Sequence, residues 1–212
     1  MKLVIFDLDG VLVKAKEIHF NALNDALASV DPKFCISYSE HLNIYDGLKT
    51  RDKLKLLTKN KGLSVADHDL VWERKQAITT KKVTEIEKDH DLIDLLKFLS
   101  DNNIKIACCS NSIRKSVYSI LSQLGLINFF DYILSNEDVK TSKPYPEMYW
   151  MAMMFFAKNP EETLIVEDSP HGLLAAQRSG ANILRVKGPS DLSINKIKPL
   201  LYKKTKTMNT RW

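Results

Sequence analysis

Cysteine is scarce in this chain. Three occur in 212 residues, Cys35, Cys108 and Cys109, an odd number with two of them adjacent inside an apolar run. That is poor material for a disulfide framework and points to a reducing compartment. Long hydrophobic runs are missing as well. No stretch nears the ~18 apolar residues of a membrane helix, and no signal-peptide core is recognisable, so a cytoplasmic chain with no membrane partner is expected. Charge of one sign does not dominate either: 31 Lys and Arg stand against 26 Asp and Glu, a net +5. So mild an excess gives no reason to expect a nucleic-acid partner, and its share in the tail "YKKTKTMNTRW" reads as a solvated end. Neither a low-complexity linker nor a fixed-period repeat divides the chain.

What is present is an ordinary globular composition, 44% hydrophobic and 27% charged. The length suits one α/β core with a small second module. Short apolar runs, "KLVIFDL", "IKIACCS", "FFDYILS", "TLIVEDS" and "ANILRV", alternate with longer amphipathic stretches. Runs so continuous suit strands covered on both faces. In "DLIDLLKFLSDNN", Leu92, Leu95, Leu96 and Leu99 form one stripe at helical spacing. "SIRKSVYSILSQLG" and "PHGLLAAQRSGA" each end at a glycine stop. The alternation predicts an α/β, Rossmann-like, doubly wound parallel sheet. Residues 16–83 break it, with helical patterns and no convincing strand. They read as a small helical domain inserted into a core made of 1–15 and 84–212.

In a parallel sheet, chemistry belongs at the carboxyl ends of the strands. There the chain places Asp7 and Asp9 after the first run, Ser110 and Asn111 after the second, Lys143 in the loop after the third, and Glu167 and Asp168 after the fourth. Asp7 and Asp168 offer hard oxygen ligands for a divalent cation, which relieves the repulsion of the opening pair. Ser110 and Lys143 can hold phosphoryl oxygens. Taken singly, each feature has a plainer reading. Ser110 or Ser112 suits a helix cap, a lysine before proline usually faces solvent, and acids suit a helix start. Their order at successive strand ends is what argues for a site.

With "DLDGV", "CCSNS", "SKPYPEMY" and "VEDSPHGLLAAQRSGA", the chain resembles the haloacid dehalogenase superfamily phosphotransferases, in the branch with a helical cap after the first strand. The resemblance runs to about Leu201. It implies that Asp7 is the nucleophile and carries an aspartyl-phosphate. Asp9 is the general acid and then the general base. Mg²⁺ is held by Asp7, the Asp9 backbone carbonyl and Asp168, with Glu167 nearby or ligating. The second aspartate disfavours a dehalogenase, because a halide leaving group needs no proton.

The resemblance also assigns substrate-facing groups, Asn111 on the core and His19, Gly47, Arg51 and Lys75 on the cap. Two cations there suit a second phosphate or a carboxylate. The expected function is hydrolysis of a small phosphorylated metabolite, a sugar phosphate, by a monomer. Phosphosugar mutase activity of the β-phosphoglucomutase type is the alternative, and a catalytically silent binding module is a further one. Lys14 and Ala15 depart from the mutase's aspartate and threonine, which favours hydrolysis. "MYWMAMMFF" at 148–156 reads as a sheet-covering helix, broad enough to leave an apolar patch.

Overall fold

Each of the five apolar runs forms a strand. In the computed structural model, which describes residues 1–202, these are β1 (Leu3–Phe6), β2 (Lys105–Cys109), β3 (Tyr132–Leu134), β4 (Thr163–Glu167) and β5 (Asn182–Arg185). They pair in the order β3-β2-β1-β4-β5, all parallel, with Leu3 opposite both Lys105 and Thr163. All four residues of the central β1 are fully buried. Val4 and Phe6 face one apolar layer, Leu3 and Ile5 the other, as the two-residue period of a strand requires. The same alternation sends Cys108 and Cys109 to opposite faces. Adjacent cysteines in a strand therefore join two cores rather than each other.

Helices cover both faces. One layer holds α5 (His90–Asp101), α6 (Arg114–Gln123) and α9 (Ile194–Leu201), the other α7 (Glu147–Phe155) and α8 (Pro170–Ser179). The leucine stripe of α5 is buried throughout, and Asp89 caps the helix by accepting the Asp91 and Leu92 amides. α7 buries Met148, Tyr149, Ala152 and Met153 but leaves Trp150, Met154 and Phe155 exposed.

Between β1 and α5 lie α1 (Lys16–Ala28), the single turn α2 (Tyr38–Glu40), α3 (Thr50–Lys61) and α4 (His68–Val83). No strand occurs among them. Leu23, Leu27, Phe34, Leu54, Leu57 and Val71 close around one another, so this insert has an apolar core of its own. Its loop meets the core where Asn111 Nδ2 donates to the Gly47 carbonyl at 2.7 Å and His171 Nδ1 to the Asp46 carbonyl at 2.9 Å. No helix among the described residues is long and apolar enough to cross a membrane. The basic tail beyond Tyr202 lies outside the described residues.

Candidate active site

Parallel pairing brings the carboxyl ends of all five strands to one rim. Asp7 follows β1 directly and is pinned there by its amide, which donates to the Val166 carbonyl at 3.0 Å. Lys143 is not solvent-facing; it is 3% exposed. Its Nζ donates to Asp7 Oδ1 at 2.6 Å, Glu167 Oε1 at 2.6 Å and the Cys109 carbonyl at 2.8 Å. Burial alone would lower this lysine, but Asp7 and Glu167 outweigh it and hold the ammonium charged.

Glu167, fully buried, ends β4. Its Oε1 also accepts Tyr149 OH at 2.9 Å, and Oε2 accepts the Asp168 and Ser169 amides at 2.9 and 3.2 Å. Both its oxygens are thus committed to protein donors. α8 passes so close behind it that a Cβ on Gly172 would lie 1.8 Å from Oε1. Only glycine fits there.

Asp168 is different. It is 8% exposed, yet among the described residues no backbone amide, hydroxyl or other neutral donor reaches either carboxylate oxygen. Lys16 Nζ, 2.6 Å from Oδ2, is the one cation that meets it among the described residues. Burial raises the Asp168 carboxyl to about 6 against the pull of Lys16, and burial and Glu167 raise Asp7. Asp7, Glu167 and Asp168 each bring an oxygen within 4.8 Å of the others. Gly10, at φ +95°, leaves the space beside them, since a Cβ there would lie 2.1 Å from Asp168 Oδ2. Three buried carboxylates within reach of one another, with Asp168 met by no neutral donor among the described residues, fit a hard divalent cation.

The insert supplies the opposite wall. Asp9 Oδ2 accepts the Ser112 hydroxyl at 2.7 Å, and Oδ1 lies 3.0 Å from His19 Nε2. His19 Nδ1 is in turn 3.1 Å from Lys75 Nζ. Burial and the Lys75 charge push His19 down, so its imidazole is neutral. With Nδ1 accepting from Lys75, Nε2–H donates to Asp9. Burial alone would raise Asp9; the hydrogen bonds from His19 and Ser112 and the Lys75 charge work against it and favour the carboxylate. Lys75 is lowered to about 7 by burial and by Lys53, and Lys53 is lowered by burial in its turn. Among the described residues Lys53 Nζ has no hydrogen bond and no ion pair. A cavity of about 270 Å³ separates these groups from the rim, with Asp7, Asp9 and Lys143 on one side and Arg51, Lys53 and Lys75 on the other.

Residues 4–186 match the family model described as haloacid dehalogenase-like hydrolase. The chain belongs to this family. It is 29% identical over 183 residues to the phosphorylated carbohydrates phosphatase of Thermotoga maritima, covering 85% of this chain and 82% of that one. It is 30% identical over 185 residues to pyrophosphatase PpaX of Bacillus pumilus, covering 84% and 79%. The fold is that of β-phosphoglucomutase from Clostridium difficile, with a TM-score of 0.81 over 94% of this chain and 96% of that chain, at 22% identity.

In this haloacid dehalogenase-like hydrolase, Asp7, Asp9, Lys143, Asn111, His19, Gly47, Arg51 and Lys75 all border one cavity. Ser110 lies behind it, 1% exposed, with its hydroxyl accepting the Ser112 amide at 3.0 Å. Neither Ser110 nor Ser112 caps the next helix. Glu137 does so from the neighbouring loop, accepting the Arg114 amide at 2.6 Å. Asn111 acts as a brace: Oδ1 accepts the Lys143 amide and Nδ2 donates to the Lys143 carbonyl, both at 3.1 Å. Arg51 stacks over Trp72 and pairs with the exposed Asp69. Sequence reasoning missed Lys16, Asp46 and Lys53, and gave Ser112 only a capping role. Ser112 had a signal, standing two residues past the strand-end serine. The others have none in local sequence, because their partners come from distant segments.

Proposed function

We propose that the hydrolase is a Mg²⁺-dependent phosphatase. Its substrate is a small metabolite with a second anionic group, a sugar phosphate, and residues 16–83 act as the cap over it. The observation that carries this reading is the pairing of two unlike aspartates across one cavity. Asp7 is locked by Lys143 at 2.6 Å, while Asp9 is held by His19 and Ser112.

Asp7, the Asp9 backbone carbonyl and Asp168 would hold the ion, with Glu167 behind them fixing Lys143 and the Asp168 backbone. When bound, Mg²⁺ supplies Lewis-acid neutralisation of phosphoryl charge. An Asp7 carboxylate oxygen attacks phosphorus while the bond to the leaving oxygen breaks. Asp9, once it has taken a proton from solvent, gives it to that oxygen, and the aspartyl-phosphate remains. A water then attacks phosphorus, Asp9 takes the water's proton, and the bond to Asp7 breaks, releasing inorganic phosphate. The hydrogen bonds from His19 and Ser112 keep Asp9 aimed and favour its basic form, the state the second step uses. Lys143 offsets charge on Asp7 and the transferring group throughout.

The insert decides what enters. Lys53 and Lys75 face the cavity with no carboxylate of their own, which suits an anionic group remote from the reacting phosphate. The phosphatase names of two relatives support the reaction class.

Phosphorus NMR of the enzyme with β-glucose 1-phosphate, Mg²⁺ and a trace of the bisphosphate tests the reading, alongside a panel of sugar phosphates. Accumulating inorganic phosphate supports it. Clean conversion to glucose 6-phosphate with little free phosphate overturns it in favour of a mutase. Silence across the panel favours a binding module.

A further inference from the structure

Lys16 opens α1 and reaches out of the insert to the rim. Its Nζ donates to Asp46 Oδ2 at 2.8 Å and lies 2.6 Å from Asp168 Oδ2. Asp46 belongs to the insert, Asp168 to the rim. The stem runs past Gly10, where a Cβ would meet both Asp168 Oδ2 at 2.1 Å and Lys16 Cε at 2.7 Å. The ammonium is therefore packed against the carboxylate whose oxygens have no other donor. It stands where a cation is wanted.

We propose that Lys16 is a built-in competitor for the divalent cation, one that exchanges partners when the metal binds. This inference rests on the magnesium reading above. Without metal, the ammonium covers Asp168 and neutralises part of the buried negative charge. With metal, Asp168 turns to the ion and Asp46 alone keeps the ammonium. Two acceptors for one donor make the exchange short: Lys16 gives up one contact and keeps the other. The affinity of the site is thereby set below what its carboxylates alone provide. A unit charge about 6 Å from a divalent ion weakens binding about tenfold even at the dielectric of water.

The test is calorimetric titration of Mg²⁺ into metal-free full-length protein, without substrate. Wild type is compared with Lys16→Gln, Asp46→Asn and the double variant, with circular dichroism to confirm folding. Lys16→Gln should bind Mg²⁺ about tenfold more tightly. Asp46→Asn should bind more weakly, because Lys16 then has only Asp168. In the Lys16→Gln background the Asp46 substitution should lose most of that effect, which separates partner exchange from a simple loss of negative charge. Unchanged or weaker binding by Lys16→Gln overturns the proposal, even if the variant melts earlier, since Lys16 is then only a strut between insert and rim. Should Lys16→Gln fail to fold, Lys16→Met takes its place in both comparisons, with the same supporting and overturning outcomes. A wild type that binds no Mg²⁺ overturns the magnesium reading together with it.

Discussion

The two walls of the cavity are built on opposite electrostatic plans. On the rim, Asp7 and Glu167 are held by partners inside the protein, Lys143 meeting both and Tyr149 and two amides closing off Glu167, which leaves Asp168 to Lys16. On the insert, Lys53 and Lys75 are buried and, among the described residues, no acidic side chain is bonded to either and the one partner of Lys75 is a neutral histidine. A matched buried set is rigid, because any displacement leaves a desolvated charge unpaired. An unmatched one is high in energy and relaxes when an anion arrives. The rim is built to keep a geometry, the insert to receive a ligand.

The hardest test of that contrast is the nucleophile. Asp7→Asn should cut kcat on a phosphate ester by about 10⁴-fold while far-UV circular dichroism stays unchanged. A near-wild-type rate would remove Asp7 from that role. Next comes the rim's central cation. Lys143→Met leaves Asp7 and Glu167 buried without it and should cost about 3–5 kcal/mol of stability, read from the shift in the urea midpoint. On the insert the effect should appear in binding instead. Lys75→Met should raise KM about 10- to 100-fold with kcat within a few-fold of wild type.

Lys75 also sets a pH signature. Burial and Lys53 lower it to about 7, so the free enzyme loses this cation as pH rises through that value. KM for an anionic substrate should then climb up to about tenfold per pH unit above 7, and the climb should flatten in Lys75→Met. His19 is already neutral in this window, being lowered from 6.5. A kcat loss with unchanged KM would place Lys75 with the rim chemistry and blur the two walls. The smallest effect belongs to the exposed pair at the cavity mouth. Asp69→Ala, which frees Arg51, should change the thermal midpoint by an amount equivalent to less than about 1 kcal/mol, because solvent screens the pair.

Most of the rim was legible because its residues sit beside strand ends, and strand ends are marked in sequence by where an apolar run stops. Asp7, Asp9 and Asp168 follow such stops closely, and Lys143 lies in the loop after the third. Parallel pairing alone then gathers them. The helical nature of residues 16–83 was legible for the same reason, as a loss of strand-like runs. The plain readings failed at Lys143 and Ser112, whose surroundings are supplied by Glu167 and Asp9, 24 and 103 residues away.

The sequence by itself determined the five strands, their helices and the acids at their ends, because periodicity and apolar burial act over a few residues. Tertiary structure alone decided which charges are matched. Glu167 became a support for Lys143, and Lys16 came to lie between Asp46 and Asp168. Each of these depends on distances of a few ångströms between segments far apart in the chain. Coulomb energy and desolvation are set by those distances and by burial, neither of which a single stretch of sequence contains.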